Sequence, residues 1–314
     1  MAWAEGYRRF SPPFGDRGKW PAMTEQPKAV APEIDGSLYR WRLGDLSFEV
    51  DAAHGARVTA FRIGAENVLS GPDVNALNFG STFWTSPQAD WNWPPITELD
   101  SGPYTVSGEG AELSFTSAAA DPMGVVVTKR FHVDPSSETV DLVYTVENRS
   151  SAPRTIAPWE ISRVATGGLT FFPVGGGVQP TSTLKVREID GVVWFEYDPK
   201  PITDHQKMFA HGAEGWIAHV DLPRRMLFLK TFAEVDASEQ APGQAQLEIY
   251  ADPGHTYVEV EQQDAYRAIE PGARVQWTVT WRLRRIPVGV DIVAGNKSLL
   301  ALVRHLVAPA QPRP

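Results

Sequence analysis

The sequence predicts an all-β protein: a large two-layer antiparallel β-sandwich finished by one C-terminal helix. Three observations carry that expectation. From Leu38 onward, short runs rich in β-branched and aromatic residues recur, each bounded by Gly, Pro, Asp or Asn. Almost no helical period separates them, which excludes the strand–helix alternation of a parallel sheet. Roughly fifteen such runs are more than one open sheet holds without dividing into two packed layers.

The elements follow in chain order. Leu38–Leu43 and Leu46–Val50 flank Gly44-Asp45, a two-residue hairpin signal. Arg57–Ile63 comes next, with a turn expected at Gly64-Ala65. Tyr104–Ser107 and Glu112–Thr116 flank Gly108-Glu109-Gly110, a second hairpin. Val125–Val133 and Thr139–Glu147 read as long strands joined across Asp134-Pro135-Ser136-Ser137. Arg154–Arg163, Leu169–Phe172, Val192–Tyr197, Trp216–Val220, Met226–Thr231, Gln246–Tyr250, Tyr257–Gln262 and Val275–Arg284 complete the strands. Asn296–Val307 carries the one helical period, in Leu299, Leu300, Leu302, Val303 and Leu306, with Pro309 to end it. A helix there would cover a sheet edge or a sheet end.

Gly175-Gly176-Gly177 reads as a flexible loop; no Lys-Ser/Thr follows it to make a phosphate loop. Ala118–Pro122 reads as a connector. No repeat of fixed period and no interdomain linker stands out. The expected organisation is one β domain over residues 33–314, its helix near 296–307, preceded by an Arg-, Pro- and Gly-containing extension over residues 1–32 that is poorly ordered or wraps the domain. Met23 is an alternative start to that extension.

Composition narrows the function classes. The formal net charge is −9, from 29 basic and 38 acidic residues, which argues against nucleic acid or an anionic membrane as partner. No stretch approaches the roughly 18 apolar residues that a membrane helix needs. The N-terminus lacks the apolar run of a secretory signal, so the expected location is cytoplasmic. Cysteine is absent, which removes disulfides, thiolate metal sites and cysteine nucleophiles together. None of the seven histidines pair at metal-ligand spacing, and no metal or other cofactor is expected. Oligomeric state is not legible.

The most unusual segment runs from Gly80 to Pro95 and on to Tyr104. Trp84, Trp91 and Trp93, three of the eleven tryptophans, fall within ten residues, interleaved with Gln88, Asp90 and Asn92. Pro87, Pro94 and Pro95 keep the segment out of a helix or a central strand, so it is expected as a long loop. Such a loop is costly unless it packs or binds. Two roles are open to it. The tryptophans could plug one end of the sandwich, or their indole faces could stack on a sugar ring while Gln88, Asp90 and Asn92 bond its hydroxyls. Sugar sites combine those two components, a flat apolar platform and planar polar groups.

The run from Phe83 to Val106, FWTSPQADWNWPPITELDSGPYTV, resembles the signature of an uncharacterised bacterial family in the galactose mutarotase-like (aldose 1-epimerase-like) superfamily. His54–Ile63 is similar to the superfamily's opening turn and strand. Tyr257–Gln262, Ile269-Glu-Pro-Gly272 and Trp277-Thr-Val-Thr-Trp281 are similar to its closing hairpin. The resemblance covers Leu38 to Arg284. It implies a β-supersandwich whose open, concave sheet face takes a sugar, with a catalytic glutamate late in the chain and a histidine acid on a mid-chain strand.

The residues can be weighed against that implication. In Tyr257–Gln262 a period of two puts Tyr257, Glu259 and Glu261 on one face and Val258 and Val260 on the other. Two carboxylates that close raise one another's pKa, which suits a base near neutrality. A solvent-facing acidic strand is the alternative. Glu259, the more central, is the match for the catalytic glutamate. The mid-chain strand Ala157–Arg163 has no histidine, a departure from the pattern. It offers Trp159 and Arg163 on one face, with Glu160 on the other if the strand is regular. Arg163 would suit a carboxylated or phosphorylated sugar. The best remaining acid is His205, in the polar run Thr203-Asp-His-Gln-Lys207, with Lys207 a further anion contact; a lone loop histidine is also ordinary surface.

The expectation is therefore a carbohydrate-active protein resembling aldose 1-epimerases, whose partner is a small sugar or sugar acid. Glu259 and His205 are its candidate catalytic residues. Trp84, Gln88, Asp90, Trp91, Trp93, Trp159, Arg163, Tyr257 and Glu261 are its candidate binding residues. A non-catalytic sugar-binding module and a structural or partner-binding β protein remain as alternatives.

Overall fold

The computed structural model describes residues 30–120 and 123–308. The expected extension up to residue 29 with its Met23, the end of the connector at Asp121-Pro122, and Pro309 lie outside the described residues. The described chain forms antiparallel strands in two packed layers, with two α-helices and two 3₁₀ turns. In chain order, β1 (Glu33–Asp35), β2 (Leu38–Leu43), β3 (Leu46–Asp51), β4 (Arg57–Ile63), β5 (Glu66–Asn67) and β6 (Ser81–Ser86) belong to the first layer. Helix α1 (Thr97–Asp100) precedes β7 (Thr105–Ser107), β8 (Ser114–Thr116), β9 (Val125–Asp134) and β10 (Thr139–Asn148) of the second. β11 (Arg154–Ala165) returns to the first layer and β12 (Leu169–Val178) joins the two. β13 (Arg187–Ile189), β14 (Val192–Glu196), β16 (Trp216–Asp221), β17 (Met226–Thr231) and β21 (Arg274–Arg285) complete the second layer; β15 (Gln206–Gly212), β18 (Leu247–Ala251), β19 (Tyr257–Gln263) and β20 (Arg267–Ile269) complete the first. Helix α2 (Lys297–Val307) ends the described chain.

Residue alternation explains the layering. Met226 and Phe228 of β17 enter the core between the layers, with Phe48, Phe61, Val258, Val260 and Trp281. Their neighbours Leu227 and Leu229 face outward, where Leu299 and Val303 of α2 cover them, together with Phe171, Trp194 and Trp216. The helix therefore covers the outer face of the second layer and not a sheet edge. It starts where the Asn296 side chain accepts a hydrogen bond from Leu299 N at 2.8 Å, which satisfies one of the four free N–H groups of a helix start. Fully burying Leu299 and Val303 contributes roughly 1.5–3 kcal/mol each.

Three local expectations are corrected. Gly175-Gly176-Gly177 is not a loop; it lies inside β12, where the register shifts between Val174 and Val178 as the strand leaves β14 and β16 for β15. Glycine suits that bend because a Cβ at Gly175 would meet the His211 ring at 3.1 Å. Ser81–Ser86 is a strand, not part of a loop, and it pairs with β11. Gln206–Gly212 is a strand as well, paired with β18 and β12.

Candidate active site on the concave sheet face

Five neighbouring strands, in the order β6, β11, β19, β18 and β15, assemble the face. Their register sets Arg163 opposite Glu259, Glu259 opposite Tyr250, and Tyr250 opposite Lys207. Directly opposed residues point to the same side of a sheet, so these four form one row across it. The adjacent row reads Ile161, Glu261, Glu248 and Phe209. The row on the other side of that one holds Trp84, Trp159 and Gln263.

The two rows of charge interlock. Arg163 Nε donates to Glu259 Oε1 at 2.9 Å, and its guanidinium lies 5.3 Å from the Trp84 ring centroid. Lys207 Nζ sits 2.6 Å from Glu248 Oε2 and 3.0 Å from Glu261 Oε2, above the Trp159 ring at 4.7 Å. Glu248 Oε1 accepts from Ala245 N and from Gln263 Nε2. Three carboxylates thus share two cations in a buried patch. Burial pushes Glu259 up to about 7, with Arg163 opposing the rise and Glu261 adding to it. Burial likewise pushes Glu248 up to about 7 against the pull of Lys207. For Lys207, burial works against the charge, but Glu248 and Glu261 outweigh it and hold the ammonium above the ordinary lysine range. Near neutrality this cluster holds a proton that an exposed set of carboxylates would release.

A cavity of about 540 Å³ opens over the first row. Glu259, His205, Trp84, Gln88, Trp93 and Tyr257, all expected at the site, line it. Lys207 lines it too, and sequence reasoning had offered it only as a further anion contact. Asn75, Asn78, Tyr250 and Asp252 were not anticipated. His205 Nδ1 and the Tyr250 hydroxyl are 2.7 Å apart with their rings stacked, and Asn78 Nδ2 donates to the Tyr257 hydroxyl at 3.1 Å. Burial, reinforced by neighbouring carboxylates, raises both tyrosine pKa values, so both hydroxyls stay protonated.

The other expected residues sit elsewhere. Trp159 is wholly buried beneath Trp84, edge to face at 5.3 Å. Arg163 and Glu261 are buried behind the lining and reach it through Glu259 and Lys207. Trp91 is half-buried and donates its indole N–H to Thr85 O at 2.7 Å, so it staples the loop down. Asp90 is exposed and outside the lining. Glu160 faces between the layers, opposite Trp159 and Arg163, as a regular strand requires.

Trp84 is aimed from a distance. Asp100 Oδ1 accepts its indole N–H and the Thr82 hydroxyl, each at 2.8 Å, while Arg57 donates to Asp100 Oδ2 at 3.0 Å. Gly55 permits this approach: its φ is +66°, and a Cβ there would lie 2.0 Å from Asp100 O. A larger groove of about 1000 Å³ runs over β3, β4 and the loop at 64–79. Its Glu49 is already bonded to Arg40 and Thr59, and no cluster of buried charge converges there. Among the described residues no group of three or more His, Asp or Glu is placed to hold a metal, and no helix is long and apolar enough to cross a membrane.

Similarity to known proteins agrees with this architecture. The chain is similar in fold to the Slr1438 protein of Synechocystis sp. PCC 6803, with a TM-score of 0.57 at 12% identity over 83% of this chain and 97% of that one. It is also similar to a galactose mutarotase-like protein from Lactobacillus casei, with a TM-score of 0.57 at 12% identity over 79% and 100% of the two chains. A candidate aldose 1-epimerase from Escherichia coli K12 superposes with a TM-score of 0.54 at 10% identity over 79% and 99%. No curated protein matches the sequence. Residues 59–284 match the sequence profile described as "Domain of unknown function (DUF4380)". Because that match spans well over half of the chain, the protein belongs to the DUF4380 family, built on a galactose mutarotase-like β-sandwich.

Proposed function

We propose that this protein binds a sugar in the concave cavity and interconverts its anomers, as an aldose 1-epimerase-like isomerase. The observation that carries the reading is Glu259. It is a carboxylate raised toward neutrality by burial and fixed by Arg163 at the floor of a cavity lined by aromatic and amide groups. In its ionised form Glu259 takes the proton of the anomeric hydroxyl. The pair of Tyr250 and His205 gives a proton to the ring oxygen as the C1–O5 bond breaks. Rotation about C1–C2 and reclosure on the other carbonyl face, with both transfers reversed, returns every proton. Tyr250 lies directly opposite Glu259 on the neighbouring strand, so base and acid stand side by side beneath one ring. Lys207 stays cationic and stabilises negative charge as it develops.

The charge pattern favours a neutral sugar over a sugar acid. Arg163 Nε is engaged by Glu259, and Lys207 by Glu248 and Glu261, so three carboxylates answer these two cations and the patch carries no uncompensated positive charge for an anion. Asp252 adds a further carboxylate to the lining. A second reading, a sugar-binding module without turnover, is favoured by one observation: Glu259 is already ion-paired, which makes it a weaker base.

Exchange NMR on neutral aldoses separates the two. Anomeric exchange faster than in buffer, lost in Glu259→Gln with sugar binding retained, is the expected result. Binding without faster exchange leaves the module. A Glu259→Gln protein with wild-type exchange removes the assigned base.

A further inference from the structure

We infer that the cavity holds two sugar rings, so that the ligand is a reducing di- or oligosaccharide whose second ring stacks on Trp93 at the mouth. The inference rests on the sugar reading above and specifies its ligand class.

Size gives the first argument. The cavity measures about 540 Å³. One hexose displaces about six waters, roughly 180 Å³ at the volume of liquid water. A single ring therefore fills about a third of the space, and two rings with bridging water fit it.

Trp93 gives the second. The residue is 57% exposed, yet it lines the cavity. Trp91, two residues earlier in the same loop, is used differently: it packs against the buried Trp84–Trp159 cluster and bonds Thr85 O. The loop thus anchors itself with one indole and holds the next one out. Trp84 backs Trp93 edge-on at 6.2 Å and 82°, which fixes the platform while leaving it open to solvent. An ordered indole that remains largely in water offers a flat apolar face to a partner.

The polar groups that share the cavity with Trp93 give the third. Asn75 Oδ1 accepts from Leu77 N and Asn78 N, so the Asn75 amide is fixed with its NH₂ left to donate. Gln88 makes no side-chain hydrogen bond among the described residues and lines the same cavity. Two planar amides in the same cavity as one aromatic platform suit the second ring of a neutral saccharide. The ionised groups lie on the rows beneath, where the reducing-end ring would sit.

Calorimetry with D-glucose and D-galactose against maltose, cellobiose and lactose tests this, in the full chain and in Trp93→Ala and Trp93→Phe. At least one disaccharide is expected to bind about tenfold tighter than its reducing-end monosaccharide, the scale of one aromatic stacking contact. Trp93→Ala is expected to remove that gain with less than about a twofold change for the monosaccharide, and Trp93→Phe to keep most of it. Equal losses for both ligands would place Trp93 over the first ring and overturn the inference, as would disaccharides no tighter than monosaccharides. The monosaccharide arm reports separately on the sugar reading: if no saccharide binds at millimolar concentration, that reading fails and the second subsite with it. Because Trp93 is largely exposed, unchanged thermal unfolding of the variants is expected and checks their folding.

Discussion

Two charged clusters lie back to back on β11 and β19, and they differ in how completely they are paired. On the side between the layers, Glu160 and Lys230 are both buried. Lys230 Nζ reaches Val260 O and Gln262 Oε1, each at 2.8 Å, and Glu160 Oε1 at 3.1 Å. Glu160 also accepts from the Tyr144 hydroxyl, Gln262 Nε2 and Trp281 Nε1. No polar side-chain atom of these residues is left without a partner. On the cavity side, both terminal nitrogens of Arg163 and Glu261 Oε1 are buried with no hydrogen-bond partner in the protein. A fully paired buried network specifies structure, whereas buried polar atoms without protein partners mark a place that expects something else. Both clusters join buried carboxylates to cations, so completeness of pairing is the property that tells the scaffold from the candidate site.

The largest expected effect breaks the sealed cluster. Lys230→Met removes three contacts at once and strands Glu160 between the layers, at a cost of roughly 3–5 kcal/mol in denaturant unfolding. Adding Glu160→Gln should recover at least about 1 kcal/mol, because the stranded charge is then gone. If the double variant is no more stable than the single one, the ion pair is not what closes this cluster. On the cavity side, Lys207→Met should cost less, roughly 1–3 kcal/mol. Lys207 borders the cavity, and Glu248 already has a raised pKa and can take up a proton. Equal costs for Lys230→Met and Lys207→Met would erase the distinction between the clusters.

The two sides were also unequally legible in the sequence. β19 announced itself through Val258 and Val260 alternating with Tyr257, Glu259 and Glu261. Alternation reports which residues share a face, but not whether that face is wet. All seven residues of β19 are buried, because β11 and β18 flank it and the loops at 71–79 and 87–96 rise over it. β6 was hidden for a different reason. Ser81, Thr82, Thr85 and Ser86 read as loop chemistry next to Pro87, yet small polar residues fit a strand hemmed in by β11 and the chain around it. β15 did carry an alternation, with Met208 and Ala210 buried against Lys207 and Phe209, but the polar start at Asp204–Lys207 obscured it. Asn75 and Asn78 had no local signal at all. They reach the cavity only because the loop carrying them folds over β19, with Asn78 bonded to Tyr257 from 179 residues away in the chain. Strand pattern therefore located Glu259 and one row of the cavity floor, while the rest depended on which strands became neighbours.

The smallest expected effect sharpens the comparison through pH. Glu259 and Glu248 are pushed up to about 7 in the folded protein, from an ordinary value near 4.5. Between those values the folded chain binds more protons than the unfolded one, so stability falls as pH rises. Their contribution is complete below about pH 4.5 and is lost as pH passes through about 7. Other groups titrate as well, so the informative quantity is the difference between two proteins. Thermal unfolding at pH 5, 6, 7 and 8 should show a shallower decline for Glu259→Gln than for the wild type, by about 1 kcal/mol or more across the interval. Glutamine keeps an oxygen for Arg163 to donate to, so the two proteins should be most alike at the acid end. The same ionisation should appear in catalysis, with anomeric exchange rising through about pH 7 as Glu259 becomes a base. An identical pH slope in both proteins would mean that Arg163 offsets burial completely and Glu259 titrates as an ordinary carboxylate. The base would then be available at any pH above 5, and the proton held by the cavity cluster would belong to Glu248, beneath Lys207.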